Sequence, residues 1–228
     1  MTGVGAAGVA EQAAQVWAAL AERRPAAGGA AGGCVLVALD GRAGAGKTTL
    51  AEALARTAPR TGPRTAPRTA PRASGGAGPP VRVVHGDDFF RPMPDAERLA
   101  LDTVEGYGRY LDWRRLRDQL LVPLSEGRPA RYRPGRAWAD PPGPGPPREV
   151  PCRGTVLVEG VLTARPELAG FYDLTVFLDA PAEVCLRRLL ARAWAPGREA
   201  WIARWRAVED HYLATTGLPA RAGLTVRA

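Results

Sequence analysis

Gly41-Arg-Ala-Gly44-Ala-Gly46-Lys47-Thr48 sets three glycines, one lysine and one hydroxyl at fixed offsets. The glycines let the backbone turn so that successive N–H groups point inward at an anion. The spacing is G-x-x-x-x-G-K-[ST], a loop that cradles a polyphosphate in its amides. In that pattern the ammonium reaches the β- and γ-phosphates and the hydroxyl holds Mg²⁺. Gly41, Arg42, Ala43, Gly44, Ala45, Gly46, Lys47, Thr48 and Thr49 are therefore the expected nucleotide contacts. Lys47 is the only lysine in the chain, every other cation of this kind being arginine. A compact ammonium fits inside a ring of amides where a planar guanidinium does not.

A second group of candidate residues lies further along. His85-Gly-Asp87-Asp88-Phe-Phe90-Arg91 places two carboxylates, two aromatics and an arginine directly after an apolar run. Asp87 or its neighbour Asp88 can take or orient the proton of an acceptor hydroxyl. Glu159 closes another apolar run, Thr155 to Val158, and is a candidate second oxygen beside a metal ion. Arg188 and Arg192, in an arginine-rich helical stretch, can cover charge on a transferring phosphoryl group. Each has a plainer reading: an aspartate that caps the next segment, a solvated turn acid, a solvated helix face.

These residues need strands to deliver them and helices to follow. Val35 to Leu39 is a short apolar run suited to a buried strand, and Leu50, Ala51, Leu54 and Ala55 recur at helical spacing after the glycine loop. Val81 to Val84, Thr155 to Glu159, Leu174 to Asp179 and Leu224 to Arg227 read as further strands. Helices are expected over 11–24, to about Arg56, over 95–101, over 112–124 with Asp112 at its cap, after Pro181, and from Trp201 to Leu213 with Gly217 closing it. Residues 127–147 show no period and read as irregular. Strands alternating with helices predict a mainly parallel sheet covered on both faces. Ligands then bind at the carboxyl ends of the strands.

The 228 residues fit one domain with a substantial core. Thr57-Ala-Pro-Arg60 begins a four-residue repeat that runs through Arg72 and grades into a Gly/Pro stretch ending at Pro80. Proline at every fourth residue forbids helix and sheet, so residues 57–80 read as a disordered or extended insertion. Much of the +8 net charge lies there, which weighs against nucleic acid as a partner and for a small-molecule substrate. Cys34, Cys152 and Cys185 are widely spaced and read as free thiols in a reducing compartment. With neither a secretory pattern nor a membrane-length apolar run, the expectation is a soluble, cytoplasmic protein.

Taken together the motifs resemble the uridine kinase-like P-loop kinases. The resemblance rests on Asp40-Gly-Arg-Ala-Gly-Ala-Gly-Lys-Thr-Thr, Gly86-Asp-Asp-Phe-Phe-Arg, Tyr110-Leu-Asp112-Trp-Arg-Arg-Leu, Arg131-Tyr132-Arg, Val156-Leu-Val-Glu-Gly-Val and Leu186-Arg-Arg-Leu-Leu-Ala-Arg. It implies an α/β P-loop NTPase three-layer sandwich with a five-stranded sheet and a helical lid. It also implies transfer of the ATP γ-phosphate, with Mg²⁺, to the 5′-hydroxyl of uridine or cytidine. By position, Lys47, Asp87, Arg188 and Arg192 would be catalytic, and Thr48 and Glu159 would hold the metal. Asp87, Phe90, Arg91, Asp112, Tyr132 and Arg136 would contact substrate, Phe90 near the base and Asp112 on the ribose diol. Two departures stand out: no histidine follows Tyr132, and the lid reads Arg192-Ala193 where an acid is usual.

Other classes compete. A guanine-reading switch needs an asparagine-containing motif, and the chain has no asparagine. A non-catalytic nucleotide- or nucleic-acid-binding protein, and a kinase for another small alcohol such as pantothenate, a sugar or an antibiotic, remain as alternatives.

Overall fold

A computed structural model describes residues 6–23, 33–59, 80–135, 137, 143–192 and 196–228. The expectations for the repeat at 60–79, for Arg136 and for Ala193 fall outside these residues.

The chain opens with α1 (Ala6–Glu22), which starts before the expected 11 and ends before 24. The strand β1 (Val35–Asp40) leads into the glycine loop and α2 (Lys47–Arg56). Next come β2 (Val81–His85), a 3₁₀ turn (Gly86–Phe89), α3 (Asp95–Ala100) and α4 (Thr103–Arg109). The expected helix over 112–124 is broken into α5 (Trp113–Leu116), a π-turn (Arg117–Leu121) and α6 (Val122–Ser125). Pro123 has no N–H and its ring crowds the carbonyl four residues back. The helix widens just ahead of it, and Val122 N–H bonds to the Arg117 carbonyl.

Two short strands follow, β3 (Ala130–Tyr132) and β4 (Arg148–Val150), paired antiparallel. They frame the stretch that reads as irregular from sequence; three residues are too few to show a period. The rest is β5 (Thr155–Glu159), α7 (Pro166–Ala169), β6 (Leu174–Asp179), α8 (Ala182–Leu190), α9 (Glu199–Thr216), α10 (Leu218–Arg221) and β7 (Leu224–Arg227). Gly217 ends α9 in the left-handed region, at φ 59°, as its sequence position predicts. The short α4 went unread although its signal is local. Asp102 accepts from Glu105 N–H and Glu105 from Asp102 N–H, a capping box.

Five strands form one sheet in the order β2-β5-β1-β6-β7, every neighbouring pair parallel. Side chains alternate across it with the strand period. Leu36, Ala38, Val156, Val158 and Phe177 enter one core with the π-turn region and with Trp205, Val208 and Tyr212 of α9. Val37, Leu39, Leu157, Val176 and Leu178 enter the other, with Leu50 and Leu54 of α2 and Val16 of α1. Both faces are covered, which explains strands that are apolar throughout. The result is the expected three-layer α/β sandwich. At the opposite end from the glycine loop, Cys152 Sγ lies 3.3 Å from Cys34 Sγ, and all three cysteines are free thiols. Among the described residues no helix is long and apolar enough to cross a membrane.

Candidate active site

The register of the sheet assembles the site. Glu159, at the end of β5, is paired with Leu39 of β1 on one side and His85 of β2 on the other. The glycine loop leaves β1, and Asp87 and Asp88 leave β2, so all of them emerge at the same edge. Two independent loops therefore converge on one carboxyl-end crevice.

The loop's glycines are required by its shape. Gly44 has φ 86°, and a Cβ there would lie 2.5 Å from the Cys185 carbonyl oxygen. Gly41 has φ 150°, and a Cβ would lie 2.5 Å from the Leu178 carbonyl oxygen. Lys47 is buried, and its Nζ donates to the carbonyls of Gly41 and Arg42, both at 2.9 Å. Arg188, from α8, donates to the carbonyls of Gly44 at 3.1 Å and Ala45 at 3.3 Å. It belongs to the loop's own frame. Arg192 stands exposed just beyond α8, and no described residue pairs with its side chain. Arg198 pairs with Asp95 at 4.0 Å.

The loop is also held from below, by residues that motif reading passed over. Asp40, fully buried, accepts from Gly41 N–H at 2.6 Å, Ala164 N–H at 2.8 Å and Tyr212 O–H at 2.9 Å. Glu209, also buried, accepts from Ala43 N–H at 2.7 Å, and Arg42 reaches across to Asp210 at 2.5 Å. Thus α9 grips the loop through Glu209, Asp210 and Tyr212. The available signal was an acid at 209 inside the apolar stripe of Trp205, Val208 and Tyr212.

Desolvation pushes the Glu209 carboxyl up to about 7, against the opposing pull of the Ala43 N–H and the nearby Lys47 and Arg42 charges. In the unfolded chain Glu209 ionises in the ordinary carboxyl range. Between that range and about pH 7 the folded state holds a proton that the unfolded state has lost. Its stabilising effect is full at acidic pH and is lost as pH rises through about 7. Glu209→Gln keeps an oxygen for Ala43 N–H and removes the titration. The melting temperature of the native chain, relative to the variant, should fall between about pH 4.5 and 7 and level off above that. A difference that stays constant across that range would show that the carboxyl titrates elsewhere.

Asp87 and Asp88 differ in their partners. Asp88 Oδ2 accepts from Tyr132 O–H at 2.9 Å and from Arg148 at 2.6 Å. Its carbonyl takes Gly135 N–H at 2.5 Å and Arg115 at 2.8 Å. Asp88 is thus a strut between the 3₁₀ turn and β3–β4. The Asp87 carboxylate accepts no hydrogen bond from any described residue. Asp87 is solvent-exposed at the opening, and desolvation by the atoms packed around it, then the Glu159 charge, raise its pKa. Lys47 and His85 pull the other way. Glu159 Oε1 is 2.6 Å from His85 Nδ1, a bond that raises the imidazole pKa, and 3.4 Å from Thr48 Oγ1.

The expected base-binding face needs correction. Phe90 is 3% exposed and lies 5.3 Å, centroid to centroid, from Trp205. Phe89 is wholly buried, with Tyr132 packed at 4.8 Å. These successive aromatics fill the core beneath the site, Phe89 against Tyr132 of β3 and Phe90 against Trp205 of α9. Tyr132 is itself buried, though it lines the neighbouring cavity. Asp112 caps α5 by accepting Arg115 N–H at 3.2 Å and pairs with Arg91 at 3.3 Å. One of the two oxygens expected to meet a diol is already engaged.

No protein-family model and no curated protein matches the sequence. Solved structures do match in shape. A possible uridine kinase from Bacillus stearothermophilus superposes with a TM-score of 0.62 at 21% identity, covering 94% of this chain and 97% of that one. A protein from Silicibacter sp. TM1040, provisionally named a fructose transport system kinase, gives 0.61 at 24% identity, covering 95% and 98%. The chain shares the overall α/β fold of these structures.

Proposed function

We propose that this chain is an ATP-dependent phosphotransferase whose acceptor is a hydroxyl of a small molecule. One observation carries the reading: Asp87 stands without a hydrogen-bond partner among the described residues, on the strand end beside Glu159 and across from the Lys47 loop. Asp88 and Asp40 are tied into the fold by hydrogen bonds, whereas the exposed Asp87 carboxylate stands open to a ligand at the strand ends.

Phosphoryl transfer asks for positioning and for charge stabilisation. The loop amides and Lys47 seat the donor phosphates, Lys47 exchanging its two carbonyl partners for phosphate oxygens. Arg188 fixes the loop carbonyls, so the amides keep facing the ligand. Asp87 holds the acceptor hydroxyl in line and takes its proton, and its raised pKa makes it a better base than an ordinary aspartate. Thr48 and Glu159 present hard oxygens 3.4 Å apart near the Asp87 charge, a donor set that suits Mg²⁺. When bound, the cation would neutralise charge on the donor phosphates.

The nucleoside acceptor has weaker support. The solved structure from Bacillus stearothermophilus favours it by name. The core positions of Phe89 and Phe90 and the Asp112–Arg91 pair weigh against it. ADP release should therefore be measured with ATP, Mg²⁺ and a panel of uridine, cytidine, sugars, sugar phosphates and hydroxy acids. Release above the acceptor-free rate with one class supports the reading. Release with none, alongside acceptor-independent NTP hydrolysis, overturns it.

A further inference from the structure

A cavity of about 680 Å³ opens beside the 3₁₀ turn, between α5 and the β3–β4 pair. Its lining includes Arg91, Arg115, Arg131 and Arg133, with Asp112 the sole carboxylate among the lining residues. Arg91 already neutralises Asp112 at 3.3 Å. Arg115 binds the carbonyls of Asp88 and Arg133 and lies 4.9 Å over the Phe89 ring, so it builds the wall. Arg133 is exposed, and among the described residues its side chain donates only to the Gly145 carbonyl, at 3.3 Å. Arg131 is exposed and has no hydrogen-bond or ion-pair partner among the described residues, although Glu149 lies opposite it in the β3–β4 register.

Among the described residues, neither Arg131 nor Arg133 forms an ion pair, although both line one concavity with Arg115. The arginine bias of the composition explains why these cations are arginine. It does not explain why they meet around one cavity, since like charges repel and a solvated surface would spread them. Guanidinium forks match the paired oxygens of phosphate and carboxylate. The volume suits a small ligand and is not the extended basic stripe of a nucleic-acid site. Asp87 does not itself line the cavity, but Arg91 and Pro92 of the lining follow closely on the 3₁₀ turn that carries it, so a molecule seated there must be long enough to reach past that turn.

We propose that the acceptor is an anion: a small alcohol that also carries a phosphate monoester or a carboxylate, held by Arg131 and Arg133 at the mouth of this cavity. This assignment rests on the phosphotransferase reading for the hydroxyl, but anion binding can be read without turnover.

The test is calorimetric, with the full chain and its donor site filled by a non-hydrolysable ATP analogue and Mg²⁺, so that the phosphate loop is already occupied. Probes are matched pairs: ribose 5-phosphate against ribose, and glycerate against glycerol. At least one anion should bind ten-fold or more tightly than its neutral partner. Arg131→Gln or Arg133→Gln, both at exposed positions, should reduce that binding about ten-fold, the range for a hydrogen bond to a charged group. The two pairs distinguish phosphate from carboxylate. Anions that bind no better than their neutral partners, or binding indifferent to both variants, would overturn the proposal. If binding depends on Arg131 but no probe releases ADP from ATP, the anion site stands and the phosphotransferase reading falls. If uridine is turned over while both anions bind like their neutral partners, the reverse holds.

Discussion

Lys47→Ala should lose turnover about a thousandfold or more, the upper end of what a single preorganised donor contributes to a developing negative charge. Lys47 is the chain's one ammonium, it is buried, and it is held within the loop by the Gly41 and Arg42 carbonyls. Donor phosphates entering the loop must attract it away from those carbonyls, so its charge is concentrated where the transferring group sits. The fold should survive, because Asp40, Glu209 and Arg188 hold the loop independently of the lysine. Circular dichroism should match the native chain, while the rise in melting temperature on adding ATP should shrink sharply. Lys47→Arg should not rescue activity, since a planar guanidinium does not fit a ring of carbonyls and amides. Retention of most activity in either variant would remove the loop from the chemistry.

For Asp87→Asn the expected loss is two to four orders of magnitude in kcat, roughly the range for removing a positioned general base. The Michaelis constant for ATP should change little, because the donor is held by the loop and by Lys47. A difference in pH behaviour separates a base from a strut. Desolvation and the Glu159 charge raise the Asp87 pKa, so kcat/KM in the native enzyme should climb as pH rises through that pKa. The asparagine variant should lack that limb. Asp88→Asn makes the contrast: its carboxylate is tied to Tyr132 and Arg148, so its main effect should be on melting temperature. Equal losses of kcat from both variants, with no change in pH profile, would mean that Asp87 is structural.

Much of this arrangement was legible in the linear chain. The phosphate loop needs its glycines, its lysine and its hydroxyl at consecutive positions, so its chemistry is local and its spacing is enough to find it. The strands were legible for a related reason: a parallel strand buried on both faces must be apolar throughout. The closing glycine of α9 and the cap at Asp112 are likewise properties of a few adjacent residues. Only the tertiary structure decided the rest, because it depends on which distant residues meet. Asp87 and Asp88 are neighbours of one type, and their separation into a free carboxylate and a strut comes from Tyr132 and Arg148, 44 and 60 residues away in the chain. Phe90 was expected at a ligand and belongs to the core, because Trp205 of a distant helix covers it. Glu209 grips Ala43 across 166 residues; the apolar stripe around it marks the acid as out of place but does not point to its partner. The arginines at 91, 115, 131 and 133 are scattered through an arginine-rich sequence, and their shared cavity exists only once the 3₁₀ turn, α5 and the β3–β4 pair have packed. Local spacing determines backbone conformation and the chemistry of one loop; the balance of charge around a ligand is a sum over elements, and folding alone brings those elements together.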